Sequence, residues 1–387
     1  MDSGVYQKVR RVQEKKEIIS IGSMDYTIFF VALILTVLGV VMVFSASYLT
    51  ASNAQKWNND AFYFLKKQAV FAGMGLCAMF FMANFHYKYL RRWAFTIYAV
   101  GNILLVLVLI IGISSHGATR WIPLPLIGQF QPSEVAKVGI ILFMSFVIAA
   151  KRDILLHWPG FLACSALVGL TALLVAMGNL STAIIICLIG FSMIFIACPY
   201  IWRFILAGAA GAGGMVAYLA LSSSSDNFRA GRFDAWLHPF DDPMGYGFQV
   251  VQSLYAIASG GMFGLGLGQS RQKTFLPEAH NDIIFSIICE ELGFVGAAIV
   301  LLLFAILIWR GIQVSLNAPD TFSSLTAAGI VLLIAGQVII NVAVVTNSIP
   351  NTGVPLPFIS YGGTALIIMM AMVGVLLNIS RCVKKHE

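Results

Sequence analysis

Charge is the scarcest property of this chain. Only 24 Lys and Arg and 17 Asp and Glu occur among 387 residues, or 11%, where soluble domains carry about 25%. That shortage excludes an ordinary water-soluble globular fold and points to lipid as the solvent. Alternating segments of about ten residues are lacking too, which excludes a transmembrane β-barrel. The six cysteines fall in predicted helices or at the inner face, and none has metal-ligand spacing, so free thiols are expected rather than a disulfide scaffold or a zinc site. A Walker phosphate loop is also missing. The glycine-dense stretch SGGMFGLGLGQS, which begins at Ser259, has neither that pattern nor a strand-to-helix context.

What is present in excess is apolar length, with 59% hydrophobic residues and a mean hydropathy of +0.87. A helix needs about 20 apolar residues to cross a hydrocarbon core. Ten such runs occur, near 24–49, 67–85, 93–113, 133–150, 158–177, 181–198, 201–221, 282–309, 322–346 and 361–380. The expected fold class is an all-α polytopic membrane protein: a ten-helix domain over 24–380, between a tail of 1–23 and a tail of 381–387. Lys8, Arg10, Arg11, Lys15 and Lys16 crowd the first tail, and Lys88, Arg91, Arg92, Lys151, Arg310 and Arg381 fall on the same side. The short loops of the other side hold only Lys56, Lys66, Lys67 and Arg120. By the positive-inside rule both termini are expected in the cytoplasm. The first apolar run is longer than the core of a cleaved signal peptide and reads as a retained spanning helix. The pI near 9.1 follows from that basic inner face. Each basic residue beside anionic lipid is worth about 1 kcal/mol, so no nucleic acid is needed to explain it.

One connection is far longer than the others. Residues 222–281 separate the seventh and eighth runs, and loops beyond roughly 12–15 residues are usually functional or disordered. This one carries Trp236, His238, Pro239, Asp241 and Asp242, a composition unlike that of a disordered linker. Gln249–Phe263 is mildly amphipathic and is expected as a short helix lying on the membrane. The glycines after it suit close approach of backbone to a ligand or another helix. Two further polar insertions, HGATRWIPLPLIGQFQPSEVAK from His116 and TNSIPNTGVPLPFISYGGT from Thr346, are Pro- and Gly-rich and break helices. All three segments can meet at the outer rim around one cleft.

Ionisable groups inside a span cost about 2.5–3.5 kcal/mol each on insertion scales, so their presence points to function. GLGLGQSRQKTFLPEAHNDIIFSIICEELG, from Gly264 to Gly293, holds Lys273, Glu278, His280, Asp282, Glu290 and Glu291. Asp282 can be a first-turn carboxylate favoured by the helix dipole. Lys273, Glu278 and His280 beside it are more ionisable groups than a cap requires. Glu290 and Glu291 read as a buried structural pair bonded to Arg or to backbone on a neighbouring helix. Glu134 and Lys137 are spaced i,i+3 and share a helix face. They can hold helices together or relay charge at the cleft, where Arg120 arrives from the same insertion. Arg229, Arg232, Arg271 and Lys273 are either a solvated loop face or, beside Asp282, a set of cations for phosphate. His86 and His238 have no partner spacing and read as structural, and the pair Asp241 and Asp242 is weak support for a cation site.

At these motifs the chain resembles the SEDS family (shape, elongation, division and sporulation), which includes FtsW and RodA. The resemblance runs from the first helix to the last and is densest at GATRWIPLPLIGQFQPSEVAK, PEAHND with EELG, and PLPFISYGGTA. PEAHND followed by EELG is closer to FtsW than to RodA. Two departures blur the subfamily: Gly178, Asn179, Leu180, Ser181 and Thr182 stand where members often read PDxGT, and Asn347 and Ser348 precede the SYGG segment.

The resemblance implies a multi-pass protein of the bacterial cell membrane that polymerises lipid II on the outer face. A class B penicillin-binding protein and other divisome proteins would be its partners. It places the essential loop aspartate at Asp282, the intramembrane charge pair at Glu134 and Lys137, and further functional positions at Arg120 and Lys273. The chemistry then expected is a carboxylate base at Asp282, positive charge for the leaving diphosphate from Arg120, Lys273 or Arg271, and Mg²⁺ or Mn²⁺ as a possible aid. Glu278 and His280 complete the expected substrate site. A lipid II flippase and a non-enzymatic scaffold for the transpeptidase are the rival readings.

Overall fold

The computed structural model describes residues 22–53, 55, 59–115, 118–124, 128–206, 235–245, 247–276 and 278–383. Its helices are α1 (Tyr26–Asn53), α2 (Tyr63–Asn84), α3 (Tyr87–Ile111), α4 (Pro132–Ala150), α5 (Trp158–Ala176), α6 (Leu180–Ala197), α7 (Phe248–Gly260), α8 (Ile284–Leu316), α9 (Thr321–Val345) and α10 (Gly363–Arg381). Among the described residues, nine of these are long and apolar enough to cross a membrane, all but α7. They account for nine of the ten expected runs. The remaining run, 201–221, is helical over 201–206, and the rest of it lies outside the described residues, as do Arg229 and Arg232.

Local chemistry sets several helix starts. Proline occupies the first turn of α4 and of α5, where its missing N–H costs nothing. The Asn179 side chain accepts from Thr182 N at the start of α6, and Asp320 and Ser323 form a reciprocal capping box at the start of α9. Within the bundle α2 packs along α10, α3 along α4, α5 along α6, and α8 along both α9 and α1. Helices α4, α9 and α10 are the most buried, whereas α2, α3 and α8 keep broad apolar faces exposed, as lipid-facing helices do.

The connections between the described spans gather at two ends of the bundle. At one end Asp25 pairs with Arg310 at 2.7 Å, Tyr87 Oη donates to Asp320, and Asn378 accepts from Tyr87 N. The other end holds the three polar insertions. The first of these differs from a plain loop. Strands β1 (Ile113–Ser115), β2 (Ala118–Leu124) and β3 (Gly128–Phe130) form a three-stranded antiparallel sheet in the order β1-β2-β3. Ile113 faces Trp121, with a bulge after Ile113, and Ile122 faces Phe130. Helix α7, the short amphipathic segment expected near 249–263, packs against α8.

Candidate active site

Helix α8 is broken near its start. Gly293 has φ 68° and ψ −171°, left-handed geometry that only glycine adopts at no steric cost. The break frees backbone groups inside the bundle, where each unpaired one is costly, and the glycine-rich loop supplies their partners. Leu265 N and Gly266 N donate to the carbonyls of Glu290 and Glu291, while Phe294 N and Val295 N donate to the carbonyls of Gly261 and Met262. Gly264 (φ 79°) sits so close that a Cβ there would lie 2.2 Å from Glu291 O. The glycines expected to allow close approach do so against this helix.

Two buried carboxylates fasten the rest of the loop. Glu290 accepts from Ser270 Oγ in a short hydrogen bond, from Arg271 N at 2.9 Å and from Gln272 N. Glu291 accepts from Ser45 Oγ on α1 at 2.6 Å and from Ser270 N at 3.3 Å, and Lys273 Nζ lies 3.3 Å away. Lys273 also donates to Gly268 O at 2.7 Å. The expected structural role of the two glutamates takes a specific form: they bind loop backbone, two serines and a lysine rather than an arginine.

The turn that follows carries Asp282. Its carbonyl accepts from Asn341 Nδ2 on α9 at 2.6 Å, and the same amide group donates to Val354 O at 2.7 Å. Gly353, with φ 60°, lies alongside, and a Cβ there would stand 3.2 Å from Asp282 Oδ2. Asp282 itself is half-buried. Tyr361 N donates to His280 O at 2.9 Å, so the 346–362 segment holds this turn at two points. The His280 ring is buried and lies 4.4 Å from the Phe64 ring and 5.4 Å from the Tyr361 ring, centroid to centroid. Burial pushes its pKa down to about 4 against the ordinary 6.5, and the ring is neutral at physiological pH. Glu278, with φ 52°, is exposed and accepts from Asn281 Nδ2 at 2.7 Å.

On α4, Lys137 Nζ and Glu134 Oε1 are 2.8 Å apart with both side chains buried, a contact their i,i+3 spacing allows. Arg120 on β2 is half-buried and donates from Nε to Gly178 O at 2.8 Å. With Gln131, Ser133 and Asn179 it lines a small cleft between the ends of α3 and α5 and the start of α4. Strand β3 packs against α10 and β2 against α4, so all three insertions share this end of the bundle.

The residues expected to meet substrate thus separate into two groups. Arg271 and Glu278 are exposed, and Asp282 and Arg120 are half-buried. Lys273 and His280 lie in the interior, engaged by Glu291 and by aromatic rings. Sequence reasoning passed over Asn341, Gly353, Ser45 and Ser270. A lone Asn in an apolar run reads as ordinary interhelical glue, and its actual partners are far away in sequence. Among the described residues no three His, Cys, Asp or Glu side chains converge on a point that could hold a metal ion. Mg²⁺ is commonly held by one or two carboxylates together with substrate phosphates.

Residues 25–385 match the family of cell cycle proteins FtsW, RodA and SpoVE. Stage V sporulation protein E of Bacillus subtilis is 44% identical over 93% of this chain and 97% of its own length. A probable peptidoglycan glycosyltransferase FtsW of Trichlorobacter lovleyi is 41% identical, covering 93% and 94%. The backbone is similar to a chain of a peptidoglycan synthase complex solved to show how polymerization and crosslinking are coordinated (TM-score 0.76, 28% identity, 92% of this chain and 98% of that one). It is also similar to the rod shape determining protein RodA of Thermus thermophilus (TM-score 0.67, 26% identity, 92% and 97%).

Proposed function

The chain belongs to the FtsW, RodA and SpoVE family, and from that premise we propose that it is a peptidoglycan glycosyltransferase that polymerises lipid II into glycan strands during cell division. The relatives named as glycosyltransferases support the reaction class. The observation that carries the assignment to a site is the seat of Asp282: a half-buried carboxylate on a turn held by Asn341 and Tyr361, at the end of the bundle where the three polar insertions gather.

In this reading the carboxylate takes the proton of the acceptor sugar hydroxyl as its oxygen bonds to the anomeric carbon of the donor. The bond from that carbon to the diphosphate breaks, and its electron pair leaves with undecaprenyl diphosphate, which needs no protein acid. Attack from the opposite face inverts the anomeric configuration. Arg120 and Arg271 are the cations proposed to offset the charge that develops on the leaving group. Lys273 and His280 act through the shape of the loop. A Mg²⁺ or Mn²⁺ ion bound with the diphosphate would add positive charge at the leaving group.

The protein is proposed to sit in the bacterial cell membrane with both termini in the cytoplasm and Asp282 facing outward. A class B penicillin-binding protein is the proposed partner, in line with the similarity to a peptidoglycan synthase chain. A single spanning helix of that partner suits the exposed apolar face of α8, where Phe294, Ile299, Leu302 and Trp309 are open.

Asp282→Asn keeps size and hydrogen bonding but removes the basic site. Purified protein with its partner and labelled lipid II in detergent should give no polymer from this variant while its thermal stability is kept. Near-normal polymer from the folded variant removes Asp282 from the mechanism. The buried Glu134–Lys137 pair would also suit a flippase path, but a flippase or a scaffold makes no polymer in detergent, where there is no membrane to cross.

A further inference from the structure

We propose that Asn341 and Gly353 are positioning residues for Asp282: Asn341 fixes the height of its backbone, and Gly353 leaves the gap in which its carboxylate lies. The inference rests on Asp282 being the base and adds the question of what aims it. Asn341 stands in the apolar helix α9 and is 1% exposed. Burying an amide there is unfavourable unless it is hydrogen-bonded. Both bonds of its Nδ2 run to loop carbonyls, Asp282 O at 2.6 Å and Val354 O at 2.7 Å. One rigid side chain thereby joins the turn that carries the carboxylate to the segment that flanks it. Its Oδ1 is buried with no hydrogen-bond partner among the described residues.

Gly353 completes the arrangement. Its φ of 60° and the 3.2 Å between a Cβ built there and Asp282 Oδ2 mean that any side chain both strains the backbone and crowds the carboxylate. A general base works only within hydrogen-bond reach of the proton it takes, and misplacement by about 1 Å can cost on the order of 100-fold in rate. Helix α9 spans the bundle and is among its most buried helices, so Asn341 references the base to a rigid element rather than to the loop alone.

The test uses the full chain with its partner and labelled lipid II. Asn341→Ala should lower kcat about 10- to 100-fold while KM changes less than about threefold, because the sugar and lipid contacts are untouched. Gly353→Asn separates crowding from strain, since Asn tolerates left-handed φ better than most residues. It should lose kcat nearly as much as Gly353→Val. Ile330→Val is a core control on the same helix, buried and remote from the turn. It should lower thermal stability slightly and leave kcat unchanged. An Asn341→Ala variant with normal kcat, or a Gly353→Asn variant that works like the parent, overturns the inference. If Asn341→Ala does not fold, the two Gly353 variants decide alone. Asp282→Asn run alongside keeps the outcomes apart: polymer from that variant sinks the base assignment, whereas an inactive Asp282→Asn beside a fully active Asn341→Ala sinks only the positioning.

Discussion

Glu134 and Lys137 meet across one turn of α4, 2.8 Å apart, while Glu290, Glu291 and Lys273 come together from a broken helix and a loop 18 residues upstream. The first group is balanced in charge, and both of its members lie on one helix. The second has two carboxylates for one ammonium and spreads its bonds over Ser45 on α1, the backbone of residues 270–272 and Lys273. Buried charge therefore does two jobs in this molecule. A local pair neutralises itself and can sit in a span with little help, whereas a distributed group makes distant segments depend on one another.

The largest effect is expected where that dependence is cut. Glu291→Ala strands the Lys273 ammonium and releases Ser45 and Ser270 together, a loss of about 3–5 kcal/mol by the standard of broken buried pairs. Thermal unfolding in detergent should show it, and polymerisation should fall with it. Double changes sharpen the comparison. On α4, Glu134→Ala and Lys137→Ala together should cost less than either alone, because neither charge is left unpaired. In the loop, Glu291→Ala with Lys273→Ala should recover little, because Glu291 also accepts from Ser45 and Ser270. Equal recovery at both sites would erase the distinction drawn here, and additive losses on α4 would mean that Glu134 and Lys137 have separate roles.

A smaller effect concerns His280, the neutral group of the same loop. Its pKa of about 4 in the fold lies below the ordinary 6.5, so the unfolded chain binds the proton more readily. Stability should be intact above pH 6.5 and drain away as pH falls toward 4, by about 3 kcal/mol at most. His280→Phe keeps the ring between Phe64 and Tyr361 and should flatten that part of the stability profile. An unchanged acid dependence would show that His280 is not the group responsible.

The spans were legible because apolar length is a property of contiguous sequence. Their ends moved by a few residues: the run from 67 begins as a helix at Tyr63, where Lys66 reaches out to Asp60 at 2.8 Å. The α4 pair was legible for the same local reason, and so was α7. Strands β1 to β3 were hidden, since ISS, ATRWIPL and GQF are short and carry no clear alternation. The pairing of Lys273 with Glu291 was hidden too, because it joins a loop to a helix 18 residues on. Asn341 lies 59 residues from the aspartate it holds, and nothing in its neighbourhood names that partner. In the candidate site, residue types were readable and their partners were not.

The break at Gly293 also makes a lever. Phe294 N and Val295 N are bonded to Gly261 O and Met262 O, at the top of the long helical arm that ends at Leu316. Those two bonds tie the arm to the glycine loop, so a tilt of the arm is expected to carry Gly261 and Met262 with it.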